Sequence, residues 1–172
     1  MLHQVLPGDS IVGKSFSLLW PARIAPGSLA AFTLRSGTPP GAAAPGMPAG
    51  PLTVSETTLA NGHWAAAAGT DRDLLRFTGA PLESVRVEVR EDPSDTWSHG
   101  IDRFCGPGAG FFLPSATVVE EAGPVRASLR IEAAFGASRL ELSARLTADD
   151  PRMELELRVN WQERLRIAMA RQ

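Results

Sequence analysis

The 172-residue chain carries 17 basic and 19 acidic residues, a formal net charge of −2, and 44% hydrophobic residues. This balance predicts a folded chain with one sizeable core and excludes a mainly disordered one. Because acids and bases are interspersed, no long-range attraction to nucleic acid or to an anionic membrane is indicated. Cys105 is the single cysteine, which excludes an internal disulfide and a multi-thiolate metal site.

The N-terminus and the length of the apolar runs indicate where in the cell the protein is expected. No apolar run approaches the length that spans a bilayer, and the N-terminus MLHQVLPGDS lacks the charged and apolar regions of a signal peptide. We therefore expect a cytoplasmic location, with neither a membrane nor a nucleic acid as partner.

The first third of the chain reads as strand material followed by a linker. Residues 15–20 and 29–34 are short apolar runs, and the Pro26-Gly27 turn signal precedes the second. The segment of residues 36–51 has the sequence SGTPPGAAAPGMPAGP. Its repeated prolines and glycines prevent the backbone from forming the hydrogen bonds of a helix or a sheet. This segment predicts a linker or a long loop, and it is the clearest candidate domain boundary.

Beyond the linker, two patterns predict strands. Residues 52–60 and 63–68 flank Asn61-Gly62, a strong hairpin signal because both residues tolerate positive φ. Residues 84–90 alternate, with three valines on one face and charged residues on the other, as in a half-buried strand.

The C-terminal half predicts a Gly-rich turn and three more strands. The turn is FCGPGAGFFLP, residues 104–114, and the strands cover residues 125–132, 139–147 and 153–161. Their short links favour antiparallel pairing, and Arg and Glu alternate on their outer faces, which suits cross-strand ion pairs. The apolar inner face must be covered, and only the earlier strands are available to cover it. We therefore predict an all-β fold, an antiparallel β-sandwich over residues 52–172, preceded by a short β segment over residues 1–35 from a small module.

Candidate functional residues concentrate in one predicted loop, EDPSDTWSHGIDRF, residues 91–104. Asp-Pro and Ser-Asp are turn formers, and loops held by a rigid scaffold often carry binding groups. Asp95, Trp97, His99 and Asp102 are the candidates for holding a carbohydrate. The ring of Trp97 suits the C–H face of a pyranose, although an inward anchor for the loop is the favoured alternative.

The sequence of this loop gives weaker support to a metal site or to catalysis than to carbohydrate binding. Asp95, His99 and Asp102 would align as metal ligands on a helix, but the segment reads as a loop, and turn bonding by the aspartates is favoured. Ser98, His99 and Asp102 are too close in sequence for the geometry of a nucleophilic triad. The nineteen acids do not single out a carboxylate pair for glycoside hydrolysis. We predict no catalytic residue and no metal ligand, and Cys105 reads as an inert thiol.

Several segments in order carry a resemblance to a known family. The loop EDPSDTWSHGIDRF, then VVEEAGPVRASLRIEAAFGASRLELSARL and MELELRVNWQER, resemble the C-terminal β-domain of glycoside hydrolase family 38, the α-mannosidases. LANGHW, residues 59–64, resembles the segment that opens the large β-sandwich of that family. The similarity covers most of residues 52–166, whereas residues 1–35 match less well.

The resemblance implies a galactose-mutarotase-like β-sandwich that packs against a catalytic barrel. In that family the aspartate nucleophile and the zinc site belong to an N-terminal α/β barrel, which these residues do not resemble. The resemblance thus implies a part of an α-mannosidase, with zinc as cofactor of the missing catalytic domain and none in this chain. It transfers no catalytic residue to a position here.

Three hypotheses of different classes follow from the sequence. The first is a non-catalytic β-domain of an α-mannosidase, whose partner is the catalytic domain. The second is a stand-alone carbohydrate-binding β-sandwich that holds a mannoside near Trp97 and His99. The third, an enzyme in its own right, lacks a convincing acid/base or metal constellation. The first hypothesis predicts an exposed apolar patch or an unpaired sheet edge, and such an edge predicts self-association.

Overall fold

The structure is a computed structural model that describes residues 4–7, 16–19, 22, 24–31, 52–92 and 106–163. Over these ranges all regular secondary structure is β-strand, and every strand pairing is antiparallel. The all-β prediction is therefore confirmed for the described part of the chain. Within the same ranges, no helix has the length and apolar character needed to cross a membrane.

The N-terminal segment forms a separate hairpin. Strands β1 (Gln4–Pro7) and β2 (Phe16–Leu19) pair in antiparallel fashion, in agreement with the apolar run predicted at residues 15–20. The Pro26-Gly27 turn is present, since the amide of Ser28 donates to the carbonyl of Ala25 at 3.0 Å and Gly27 has φ of 73°. The strand predicted at residues 29–34 is not found over 29–31, where the backbone joins no sheet and Leu29 is fully exposed. Residues 32–34 and the predicted linker, 36–51, lie outside the described ranges.

The second unit is a five-stranded sheet of short strands in sequential order. Its strands are β3 (Thr53–Val54), β4 (Thr58–Ala60), β5 (Ala65–Ala68), β6 (Leu75–Thr78) and β7 (Ser84–Val85). Next come β8 (Glu88–Arg90) and β9 (Gly108–Phe111), which pair with each other as a two-stranded sheet.

Long strands form a four-stranded sheet, also in sequential order. They are β10 (Leu113–Ala122), β11 (Arg126–Phe135), β12 (Ser138–Thr147) and β13 (Met153–Asn160). The last three confirm the strands predicted from alternation at residues 125–132, 139–147 and 153–161. Two-residue and five-residue links join them, and the short links enforce the antiparallel neighbours that the sequence predicts.

The two larger sheets share one buried apolar cluster. Leu59, Ala66 and Leu75 enter it from the five-stranded sheet, while alternate residues of β11 and β12 enter it from the other. The latter are Ala127, Leu129, Ile131, Ala133, Leu140, Leu142, Ala144 and Leu146. Burial of this apolar area is the main stabilising term for both sheets.

Two strand predictions are wrong in detail. Residues 52–60 are not one strand, because Ser55 bends the chain into a β3–β4 hairpin by accepting hydrogen bonds at its Oγ from the amides of Thr57 and Thr58. Residues 84–90 keep their predicted alternating burial, yet they divide into β7 and β8, which pair with different strands.

The hairpin predicted at Asn61-Gly62 is confirmed, but its stated cause is wrong. Neither residue has positive φ, and the connection has four residues because Ala60 pairs with Ala65. The side chain of Asn61 makes the turn instead: its Oδ1 accepts from the amides of His63 at 2.9 Å and Trp64 at 2.8 Å. This is an Asx-type turn, in which a short side chain replaces a backbone acceptor.

The Gly-rich turn predicted at residues 104–114 is wrong over its described part. Residues 108–111 are strand β9, and Pro114 lies inside β10. Strands β6 and β10 have no counterpart among the predicted strands. Pro114 is tolerated because β10 is an edge strand of its sheet, and the pairing register with β11 shifts beside it.

The outer face of the four-stranded sheet carries the predicted cross-strand ion pairs. Arg130 on β11 contacts Glu120 on β10 at 2.9 Å and Glu141 on β12 at 3.6 Å, and it also pairs with Glu132. Arg145 on β12 contacts Glu154 on β13 at 3.4 Å. This face is therefore mainly polar, although the exposed Val118 lies on it directly opposite Arg130.

Candidate functional site

The candidate carbohydrate-binding residues Asp95, Trp97, His99 and Asp102 lie outside the described residues, and so does Cys105. The structure does place the two ends of their segment. β8 ends at Arg90 and β9 begins at Gly108, and these strands pair with each other. The amide of Glu91 donates to the carbonyl of Pro107 at 3.0 Å. The segment that contains the four candidates therefore joins β8 to β9, two strands that pair with each other.

Glycines let β9 lie close to its neighbours. Gly110 has φ of 148°, and a Cβ built on it would stand 2.9 Å from a ring carbon of Phe135. A Cβ on Gly106 would clash with the carbonyl of Glu91, which is backbone. These glycines are thus required by the close approach of their neighbours, whereas the sequence pattern predicts a turn at the same residues.

An exposed apolar row on β13 is the most prominent surface feature of the described residues. Leu155, Leu157 and Val159 lie directly opposite Ala144, Leu142 and Leu140 of β12, so the two sets share one face of the sheet. The β12 residues are buried, with Leu142 only 2% exposed, whereas Leu157 is 48% exposed. Trp161 continues the row beyond the strand and is exposed to the same extent. We call Leu155, Leu157, Val159 and Trp161 the β13 stripe.

The β13 stripe is the uncovered margin of the core. The five-stranded sheet buries the apolar residues of β11 and β12, but no described residue covers the stripe to a similar degree. The alternation of β13 predicts that these residues share one face, and the earlier strands are expected to cover that face. The shared face is confirmed, and the coverage stops at β12 because five short strands do not reach across four long ones.

An aromatic column fixes the end of the stripe. The ring of Trp161 stacks on that of Phe135, with 6.3 Å between centroids and 10° between planes. Phe135 in turn packs on the buried Phe112 at 5.9 Å. Through Phe135 the column also meets Gly110, so Trp161 is held by the same packing that seats the β8–β9 hairpin.

Glu163 anchors the chain just after Trp161. Its Oε1 accepts hydrogen bonds from the amides of Ala137 and Ser138 and from the hydroxyl of Ser138, at 2.8, 3.1 and 2.9 Å. The Ser138 oxygen also accepts from the amide of Gln162 at 2.9 Å. The hydroxyl of Ser138, and then the two amides, lower the pKa of Glu163, although partial burial opposes them. The carboxylate thus stays ionised and ties the end of β13 to the β11–β12 turn.

The LANGHW segment contacts the β12–β13 turn. The Nδ2 of Asn61 donates to the carbonyls of Thr147 at 2.8 Å and Asp150 at 3.1 Å. The indole Nε1 of Trp64 donates to the carbonyl of Pro151 at 2.6 Å. Two segments that are 86 residues or more apart are thereby joined.

The ionisable groups among the described residues form hydrogen bonds and ion pairs that stabilise the fold. Burial of Asp73 acts to raise its pKa, but the hydrogen bonds that its carboxylate accepts from Ser84 and Arg76 together outweigh burial, so the pKa is lowered. No group of three or more His, Cys, Asp or Glu side chains within the described ranges is placed to hold a metal ion.

The described residues thus define an all-β protein with antiparallel sheets, one shared core and an apolar margin on its last strand. Searches of protein-family models, curated proteins and solved structures found no match to this chain.

Proposed function

We propose that this chain is the non-catalytic β-domain of an α-mannosidase-like glycoside hydrolase. In this proposal the two larger sheets form an antiparallel, galactose-mutarotase-like β-sandwich, and the domain packs against a catalytic barrel that carries the zinc and the nucleophile. The family assignment rests on the sequence resemblance. The hydrogen bonds of the LANGHW segment reach the β12–β13 turn, which lies between two of the resembling segments, and this supports their belonging to one packed unit.

The β13 stripe is the observation that carries the proposal of a supporting role. Its four side chains are apolar, contiguous in register and half-exposed, and they continue the face that forms the core. A contiguous apolar surface is characteristic of protein–protein contact, whereas scattered exposed apolar residues are ordinary. A packed partner on this face would complete the burial that the five-stranded sheet provides for β12.

The experiment that tests the proposal examines the native polypeptide. An antibody raised against this chain should detect, in source cells, a polypeptide several times larger than 18.3 kDa. The immunoprecipitate should hydrolyse an aryl α-mannoside, and a chelator should abolish that hydrolysis. Antibody preincubated with the purified chain provides the control.

A different result would overturn the proposal. A polypeptide of 18.3 kDa whose precipitate has no α-mannosidase activity would show that the domain acts alone. The carbohydrate-binding hypothesis around Trp97 and His99 would then take precedence. A large polypeptide without hydrolysis of mannosides would retain the supporting role but reject the family.

A further inference from the structure

The two edges of the four-stranded sheet are built differently. Edge strand β10 contains Pro114, and its register with β11 shifts twice, between Pro114 and Ala116 and between Val119 and Glu121. Proline and irregular register are features that protect an edge from pairing with another strand. β13 has neither proline nor a register shift over its eight residues, and within the described residues it has one strand neighbour.

We propose that the β13 edge pairs in antiparallel fashion with β13 of a second copy of this chain, in a register centred on Leu157. An antiparallel pair of identical strands has two-fold symmetry, so residues equally distant from the centre face each other across the two copies. In this register Leu157 faces its own counterpart and Leu155 faces Val159. The polar face is the one that selects the register.

Charge complementarity on that polar face favours the Leu157 centre. Glu156 of each copy would face Arg158 of the other, and Glu154 would face Asn160. These two symmetric ion pairs would join the ion pair of 2.7 Å that Arg158 already forms with Glu156 in its own strand. Opposite charges directly across a strand pair stabilise it, and like charges destabilise it.

The neighbouring registers have less favourable charge pairing than the one centred on Leu157. A centre at Leu155 sets Glu154 against Glu156 twice. A centre at Glu156 or at Arg158 sets that residue against its own counterpart, and a centre at Val159 sets Arg158 against Asn160 and loses both ion pairs. Centres that fall between residues would oppose the apolar face of one copy to the polar face of the other. Among centres from 155 to 159, Leu157 alone gives ion pairs without a like-charge pair.

This pairing concerns the backbone edge of β13 and does not require the proposed function. Side chains that face each other across antiparallel strands lie on the same side, so the stripes of the two copies would lie next to each other on one face of an eight-stranded sheet. That face would remain available to a packed domain.

Cysteine cross-linking of the full chain tests the register directly. In a Cys105→Ser background, Leu157→Cys should give a disulfide-linked species of twice 18.3 kDa under mild oxidation, because facing residues are within disulfide reach. The matched control is Leu155→Cys, whose two copies would lie roughly 13 Å apart and should not be linked. Equal cross-linking at both positions would overturn the register, and failure at Leu157 would overturn the pairing.

Charge reversal with mixing provides the second test, by sedimentation of the full chain. Glu156→Arg sets Arg against Arg, and Arg158→Glu sets Glu against Glu, so each variant alone should dimerise about tenfold more weakly than the unchanged chain. An equimolar mixture of the two variants should recover the dimer, since opposite charges face each other in the mixed pair. A monomeric unchanged chain up to millimolar concentration, or a mixture as weak as its components, would overturn the proposal.

Circular dichroism of each variant establishes that it folds. Both substitutions lie on the exposed polar face, and if either variant loses its β-sheet spectrum, the two cysteine variants decide the proposal without it. Absence of α-mannosidase activity in source cells would reject the proposed function and leave these results unchanged.

Discussion

Asn61 is a single residue that holds two parts of the fold together. Its Oδ1 forms the turn between β4 and β5, and its Nδ2 bonds the carbonyls of Thr147 and Asp150 at the end of the other sheet. An asparagine provides two donors and an acceptor on one short side chain, which serine and aspartate do not.

Asn61→Ala should therefore lower the free energy of unfolding by about 2 kcal/mol, because four hydrogen bonds are lost and two carbonyls lose a donor. Urea unfolding followed by tryptophan fluorescence measures the change. The matched control is Asn160→Ala on the exposed face of β13, whose side chain bonds only Gln162 among the described contacts and which should change stability by less than about 0.5 kcal/mol. Equal effects at the two positions would contradict the linking role of Asn61.

Asp150 makes the stability of the β12–β13 turn depend on pH. Hydrogen bonds from the guanidinium of Arg152, and then from its amide, lower the pKa of Asp150 from 3.8 to about 2. A carboxyl whose pKa is lowered by folding stabilises the folded state above its unfolded pKa, and this stabilisation is lost as the pH falls through the folded pKa.

The free energy of unfolding should thus decrease as the pH is lowered from about 4 to about 2, because the unfolded chain takes up the Asp150 proton first. Asp150→Asn should reduce the slope over this interval. Urea titrations at a series of pH values measure it. An unchanged slope in the variant would assign the acid sensitivity to other carboxyls with lowered pKa, such as Asp73 and Glu163.

At the scale of single elements, β9 depends on glycine where the chain passes beneath an aromatic ring. Gly110 lies against Phe135, which also supports Trp161, so a larger side chain would disturb both the hairpin and the aromatic column. Gly108 on the same strand meets only the carboxylate of Glu88, the flexible end of a side chain.

Gly110→Ala should cost about 2 kcal/mol of stability through steric overlap and an unfavourable φ, whereas Gly108→Ala should cost less than about 1 kcal/mol. Thermal unfolding of the two variants, compared with the unchanged chain, measures the difference. Two equally stable variants would show that β9 can move away from Phe135 at little cost.

The same element explains what the sequence could and could not predict. β11, β12 and β13 alternate strictly and are joined by short links, so their existence and pairing follow from pattern alone. β9 is rich in glycine, and its strand conformation depends on pairing with β8, from which 17 intervening residues separate it in sequence. β10 carries a proline as its second residue and tolerates it only as an edge strand, a position that depends on the whole sheet.

At the scale of the whole molecule, one apolar cluster holds two sheets together. Removing a side chain from this cluster should destabilise the fold more than removing an exposed apolar side chain. Leu142 lies in the shared cluster and is 2% exposed, whereas Leu82 lies outside any strand and is 48% exposed.

Leu142→Ala should lower the free energy of unfolding by about 3 kcal/mol, because it removes buried methyl groups and leaves a cavity. Leu82→Ala removes the same atoms from a half-exposed position and should cost less than about 1 kcal/mol. Chemical denaturation of both variants provides the comparison. Similar losses would mean that the cluster is not the common core of the two sheets.

Only part of the candidate site could be predicted from local sequence, as was the case for the strands. The alternating pattern showed that Leu155, Leu157 and Val159 share a face, and the loop composition selected Asp95, Trp97, His99 and Asp102. That the face is half-exposed depends on how far the five-stranded sheet extends, which no single segment encodes. The carbohydrate-binding role of the four loop residues stays a prediction.

The contrast between a regular β13 and an interrupted β10 limits the size of any assembly that the sheet can make. A sheet with two open edges can add copies without end and grow into a fibre. A sheet with one open edge can pair with one other sheet, and two-fold pairing covers the open edge of both partners. In the proposed dimer, the proline and the register shifts of β10 would leave this sheet no second edge suited to pairing, so assembly would stop at two copies.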